Sequence, residues 1–173
     1  GKISYVSINR SGAAAGNVNS DGATGNNAIA IGPDAKATAN GSTAVGNKAT
    51  ATGADSVVMG TDSGSNSGLV SATTRQVAIG SASGQSVNGT DNVALGSNTG
   101  RTVTGNNNTA IANNAGTTVT GNDNTALGRN AGQTISGSDN IGIGRNASQN
   151  VTGTDNLALV RNAGQNVSGI NNI

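Results

Sequence analysis

From Gly89 onward the chain repeats itself every sixteen residues without slippage. The unit reads GTDNVALGSNTGRTVT from Gly89, GNNNTAIANNAGTTVT from Gly105, GNDNTALGRNAGQTIS from Gly121, GSDNIGIGRNASQNVT from Gly137 and GTDNLALVRNAGQNVS from Gly153. A further copy breaks off after Gly169 as GINNI. The same core string occurs upstream as AIAIG ending at Gly32, STAVG at Gly46, SVVMG at Gly60 and QVAIG at Gly80, at spacings of 14, 14 and 20 residues. Nine strings therefore run from about residue 28 to residue 160. A unit this short cannot enclose an interior alone, and it becomes stable only by stacking on its neighbours.

Each string alternates large and small residues, as in Val93-Ala94-Leu95-Gly96, and period-two alternation with β-branched residues predicts a strand. A second apolar position follows about eight residues later: Val103, Val119, Ile135, Val151 and Val167, each flanked by polar residues. In the first turns its counterpart is an alanine ladder, Ala35, Ala37 and Ala39, then Ala49 and Ala51. Gly, Asn and Asp fill the intervals, the residue types that tolerate positive φ in tight turns. No 3.6-residue period survives, so helix and coiled coil are excluded. The expected fold is all-β: a parallel β-solenoid with two short strands in each 14–16-residue turn. Nine turns at a spacing of ~4.8 Å make a rod about 43 Å long.

Composition makes the interior thin. Gly and Asn account for 28 and 27 of 173 residues, and about 25 of the hydrophobic residues are alanine. There is one Tyr, one Met and one Pro, with no Phe, Trp, Cys or His. A coil of this kind is short of buried area, which points to association with copies of itself. Lacking His and Cys, the chain has no usual zinc ligand set, no Ser-His-Asp or Cys-His pair and no disulfide framework. A net charge of +1 and the absence of aromatic platforms argue against nucleic acid. Eight dispersed acidic residues make no lyase or hydrolase site. No enzyme activity, cofactor or metal is expected. No run approaches a membrane span, and the N-terminus lacks the charged and apolar regions of a signal peptide.

The large residues of the strings form packing rows: Ile29, Ile31, Val45, Val57, Met59, Val77, Ile79, Val93, Leu95, Ile111, Leu127, Ile141, Ile143, Leu157 and Leu159. Two assignments fit. Either these point into the coil and the small row led by Ala30, Ala44 and Ala94 faces a partner, or the alanines point in and the large residues face a shared axis. Asn92, Asn108, Asn124, Asn140 and Asn156 are expected to form one structural amide ladder, and Asn98, Asn114, Asn130, Asn146 and Asn162 another.

The segment NNAIAIGPDAKATANGSTAVGNKATATGADSVVMG closely resembles the head repeats of trimeric autotransporter adhesins, the YadA-like head. The opening KISYVSINRSGAAAGNVNSDGATG is similar to the lead-in that commonly precedes such repeats. The resemblance implies a left-handed β-roll, homotrimeric, exposed at the surface of a Gram-negative bacterium. A stalk would carry it, and a C-terminal β-barrel in the outer membrane, outside this sequence, would be its only membrane contact. It implies a non-enzymatic adhesin that attaches to host matrix proteins such as collagen, fibronectin or laminin and mediates self-association and virulence. A passive spacer within the fibre is the alternative. The layout expected is a lead-in over residues 1–24, 14-residue repeats over 25–60, a longer turn over 61–80 and 16-residue repeats over 81–173. The break inside a repeat suggests a head, or part of one, from a longer fibre. Ala112 and Val160 depart from the string-ending Gly, and Gly142 departs from the central Ala.

Three features are candidates for recognition. The long interval between Gly60 and Gly80 carries Leu69, Val70 and Arg75, and insertions in solenoids bulge on one face. Arg129, Arg145 and Arg161 form a column. With Asp123, Asp139 and Asp155 six residues before them, an Arg–Asp ladder between turns or chains is the expected use, and an anionic ligand the other. Thr102–Thr104 and Thr118–Thr120 begin a Thr-x-Thr row that fails after two turns, too short for an ice-binding face.

Overall fold

The computed structural model describes Asn17, Asn19, residues 21–65 and residues 74–173. Among these, seventeen strands of two or three residues follow one another with no helix. Nine of them form one parallel sheet in chain order: β1 (Ile29–Ile31), β3 (Thr43–Val45), β5 (Val57–Met59), β6 (Val77–Ile79), β8 (Val93–Leu95), β10 (Thr109–Ile111), β12 (Thr125–Leu127), β14 (Ile141–Ile143) and β16 (Leu157–Leu159). These are the nine repeated strings. A second parallel sheet holds β7 (Ser86–Asn88), β9 (Thr102–Thr104), β11 (Thr118–Thr120), β13 (Thr134–Ser136), β15 (Asn150–Thr152) and β17 (Asn166–Ser168). The shorter early turns pair β2 (Lys36–Ala37) with β4 (Thr50–Ala51). The chain is a parallel β-solenoid.

Register follows the repeat. Thr43 pairs with Ile29 and with Val57, 14 residues away on either side; Val57 pairs with Val77 across the longer turn; every later step is 16. In-register stacking sets each residue on its counterpart one turn away, so the backbone of every turn bonds to the turns above and below. Where strands stop, Asn, Asp or Gly turns the corner. One corner column runs Asn98, Asn114, Asn130, Asn146 and Asn162 at φ between 56° and 65°, the left-handed region that Asn tolerates best. The strands end on glycines that approach the next turn closely. A Cβ added to Gly128, at φ 132°, would lie 2.6 Å from the carbonyl oxygen of Gly144. Ala112 occupies the same column with φ 99°, and Val160 with φ 77°.

Of the two strand assignments, the structure selects the one with alanines inside. Ala44, Ala78, Ala94, Ala110, Ala126 and Ala158 are 0–5 % exposed, while their large neighbours lie on the outer face. The reason is width. A Cβ added to Gly100, Gly116 or Gly132 would come within 2.8 Å of the Cβ of Ala94, Ala110 or Ala126 across the interior. In these turns that space admits one Cβ; in the turn of β5 the same column takes the branched side chain of Val58, buried opposite Gly64. The exceptional turn obeys the same rule with the partners exchanged: Gly142 stands in the alanine column and Ser148 in the glycine column. A Cβ on Gly142 would lie 2.7 Å from that of Ser148. The second sheet fills the remaining interior with Val87, Val103, Val119, Ile135 and Val151. In the 14-residue turns Ala35, Ala37, Ala49 and Ala51 are buried at the corresponding places.

One corner of the interior is polar. Asn92, Asn108, Asn124, Asn140 and Asn156 are buried and form a continuous ladder. Asn124 Nδ2 donates to Asn108 Oδ1 at 3.0 Å and to the Gly137 carbonyl at 2.9 Å. Its Oδ1 accepts from the backbone N–H and Nδ2 of Asn140. Each amide thereby satisfies both of its polar atoms and a backbone carbonyl, which is what lets a polar column persist in a closed interior. The corner Asn ladder is also present, with Asn130 Nδ2 donating to Asn146 Oδ1 at 3.1 Å and Asn146 Nδ2 to Asn162 Oδ1 at 3.0 Å.

Candidate functional site

Because the large residues point outward, the nine-stranded sheet carries a long apolar face. Ile31, Val45, Met59, Ile79, Leu95, Ile111, Leu127, Ile143 and Leu159 pair rung on rung without interruption. Eight intervals of ~4.8 Å make this column about 38 Å long. A second column two residues earlier runs Ile29, Thr43, Val57, Val77, Val93, Thr109, Thr125, Ile141 and Leu157. Ile29, Met59, Ile79, Leu127, Ile141, Ile143 and Leu159 are 37–50 % exposed. A contiguous exposed apolar stripe of this length is the kind of surface that marks interaction sites.

The outer face of the second sheet is of opposite character. Its outward columns are Ser86, Thr102, Thr118, Thr134, Asn150 and Asn166, and Asn88, Thr104, Thr120, Ser136, Thr152 and Ser168. Every residue in both is polar, while the residue between them in each strand faces inward. The solenoid therefore has one greasy side and one hydroxyl- and amide-bearing side.

The expected recognition residues fall in different places. Leu69 and Val70 lie outside the described residues. Arg75 is a stacking element: its Nε and Nη2 each donate to Asp91 at 2.7 Å. That hydrogen-bonded pair holds the Asp91 carboxyl below its ordinary range and raises the Arg75 guanidinium above its own. Arg75 and Asp91 are sixteen residues apart in one corner column, which continues through Asn107, Asp123, Asp139 and Asp155, all at φ between 51° and 59°. The spacing of sixteen is the signal of this pair in the sequence.

Arg129, Arg145 and Arg161 form an exposed column on the opposite margin of the same face. Within the chain they make no ladder with Asp123, Asp139 and Asp155; among the described residues the one ion pair is Arg75–Asp91. In-register stacking sets Asp over Asp and Arg over Arg, and five residues, the strand among them, separate the two columns by up to ~20 Å along each rung. A spacing of six cannot be bridged by a repeat of sixteen. Each of these rungs instead presents a graded row. In the first, Asp123, Thr125, Leu127 and Arg129 alternate along the solvent side, with Asn124 and Ala126 buried between them.

Among the described residues no three acidic side chains gather around one point. Concave surfaces occur at the ends of the stack, one lined by Asp21, Gly22, Asp34, Ala35, Lys36 and Thr38 and the other by Ala158, Gly164 and Val167, where the interior columns open.

A rod of stacked turns with one apolar side and one polar side belongs to the repeat solenoids. Comparison with protein families gives the class its particular form: the YadA head domain repeat matches in two copies, over residues 23–49 and 40–63. Residues 23–63 thus carry YadA-like head repeats, a structural repeat of the trimeric autotransporter adhesins. The matched copies coincide with the 14-residue turns, and β6 to β16 continue the same sheet in register beyond them. No curated protein matches the chain.

Proposed function

We propose that this chain is the adhesive head of a cell-surface fibre, a left-handed roll that packs side by side with two further copies around a common axis. The apolar face of the nine-stranded sheet turns to that axis, and the polar sheet faces the surroundings. From there the head attaches to a host extracellular-matrix protein such as collagen, fibronectin or laminin, or to heads on neighbouring bacteria. The observation that carries this reading is the uninterrupted Ile31-to-Leu159 column, partly exposed on one face while the other face is wholly polar. At roughly 40 % exposure each Leu or Ile retains about 0.6–1.2 kcal/mol of the ~1.5–3 kcal/mol that full burial supplies. Met59, Ile79, Leu127, Ile143 and Leu159 stand at about that exposure or above it, and three repeated surfaces add weak contacts into avidity.

Sedimentation equilibrium at micromolar concentration tests the assembly, and surface binding to a panel of matrix proteins tests the adhesion. A species of three-chain mass with saturable binding to a matrix protein is the expected result. A trimer that binds none of them at physiological salt transfers adhesion to another part of the fibre. A stable monomer overturns the proposal.

A further inference from the structure

The apolar face has two margins of opposite charge, and they occupy the same rungs. Asp123, Asp139 and Asp155 precede β12, β14 and β16; Arg129, Arg145 and Arg161 follow them. Both sets are exposed, and within the chain neither is ion-paired with the other. Like charges in each column lie one rung, about 4.8 Å, apart, an arrangement that disfavours the isolated chain. On the other rungs the matching positions carry no such pair: Asn107 with Asn113, Asp91 with Ser97, Arg75 with Ser81, Asp55 with Thr61.

We propose that these margins lock copies of the chain in parallel orientation with no offset, the Arg column of one copy lying against the Asp column of the next. The proposal rests on the self-association read above and specifies its register. Any rotation about the rod axis brings the trailing margin of one apolar face to the leading margin of its neighbour, so Arg meets Asp on all three rungs. A slip of one rung leaves one Arg and one Asp of each interface without a partner. An antiparallel pairing sets Arg129, Arg145 and Arg161 beside Thr61, Asn47 and Pro33 of the same margin, which carry no charge. The apolar columns, nearly uniform along the rod, cannot discriminate between these arrangements. Charge placed on three rungs alone can, and electrostatic complementarity commonly fixes register in this way.

The test uses three variants of the full chain: Arg129→Asp with Arg145→Asp and Arg161→Asp; Asp123→Arg with Asp139→Arg and Asp155→Arg; and all six changes together. Arg75 already occupies the acidic corner column at φ 51°, so arginine fits there. Far-UV circular dichroism confirms the fold, and the triple Arg→Gln variant gives the same readout at reduced amplitude if a reversal fails to fold. Sedimentation equilibrium in low and high salt reads association. Each triple reversal is expected to raise the half-dissociation concentration about tenfold or more at low salt, with the gap narrowing at ~1 M. The six-fold exchange restores wild-type association. Triple variants that assemble like wild type, or a six-fold exchange no better than the triples, overturn the register proposal while leaving the assembly intact. A monomeric wild type overturns the assembly itself.

Discussion

The exchange between Gly142 and Ser148 gives the sharpest test of an interior one Cβ wide. Gly142→Ala alone puts a methyl 2.7 Å from Ser148 Cβ and 2.9 Å from its Oγ. Overpacking of that kind costs about 1–3 kcal/mol, partly offset by the ~0.5–1 kcal/mol that Ala gains over Gly in a strand. The net expectation is a loss of about 1–2 kcal/mol. Ser148→Gly alone relieves a non-glycine residue at φ 50°, worth about 1–2 kcal/mol, and gives back ~0.5–1 kcal/mol of chain entropy. It should be neutral or stabilising by up to ~1 kcal/mol. The double variant recreates the Ala126–Gly132 and Ala158–Gly164 arrangement of its neighbours, and should exceed wild type by about 1 kcal/mol. The coupling between the two changes is then about 1–3 kcal/mol, above the ~0.5 kcal/mol seen at independent sites. Guanidinium unfolding followed by circular dichroism, at one fixed protein concentration, measures all four chains. Additive effects would refute the width argument, and with it the reason the large residues face out.

The two Asn ladders look alike in sequence but should differ in cost. Asn124→Ala orphans the Gly137 carbonyl and the Asn140 N–H in the interior and should destabilise by about 3–5 kcal/mol, whereas Asn130→Ala at the corner should cost about 1–2 kcal/mol, mostly for alanine at φ 59°; the same unfolding assay compares them. Ala112→Gly removes a non-glycine residue at φ 99° from the glycine column and should stabilise by about 1 kcal/mol. The hydrogen bond from Arg75 lowers the Asp91 pKa. Its contribution is therefore present above the unfolded carboxyl value of ~3.9 and is lost as pH falls through the lower folded value. In Arg75→Gln the Asp91 carboxyl, followed by NMR, should titrate closer to ~3.9, and acid unfolding should begin at higher pH.

The stack was legible because a strict period fixes register. Once AIAIG lies over STAVG, every other column follows, and both Asn ladders appear where the sixteen-residue spacing puts them. Direction was not legible in the same way, since Val93-Ala94-Leu95 alternates equally well with either face inward. Only the distance across the coil decides, and that depends on Gly100 lying opposite Ala94, six residues on and around a corner. The paired departures at Gly142 and Ser148 carried the clue: two columns exchange their small and smallest residues in one turn, as they must if they touch. The expected Arg–Asp ladder failed within the chain for a reason also present in the period, because residues six apart never stack.

An interior this narrow has a consequence for how such a rod can change. Adding a turn lengthens the interior without widening it, so the apolar residues of each new string must again face out, and the apolar face grows in step with the fold. Residues such as Leu127 and Ile143 are therefore constrained twice, by strand formation and by the face they build. The outward positions of the second sheet carry neither burden. Thr102, Thr118, Thr134 and Asn150 share one column, so Thr and Asn serve there equally, and substitutions at such exposed positions usually move stability by no more than ~0.5 kcal/mol. If the polar face is the adhesive one, as proposed, a surface that can vary without disturbing the stack is where its specificity can diverge. Exchanging Thr118 and Thr134 for Arg should accordingly leave the unfolding midpoint within that margin while altering what the rod binds; a large loss of stability would show that the polar face is also holding the coil together.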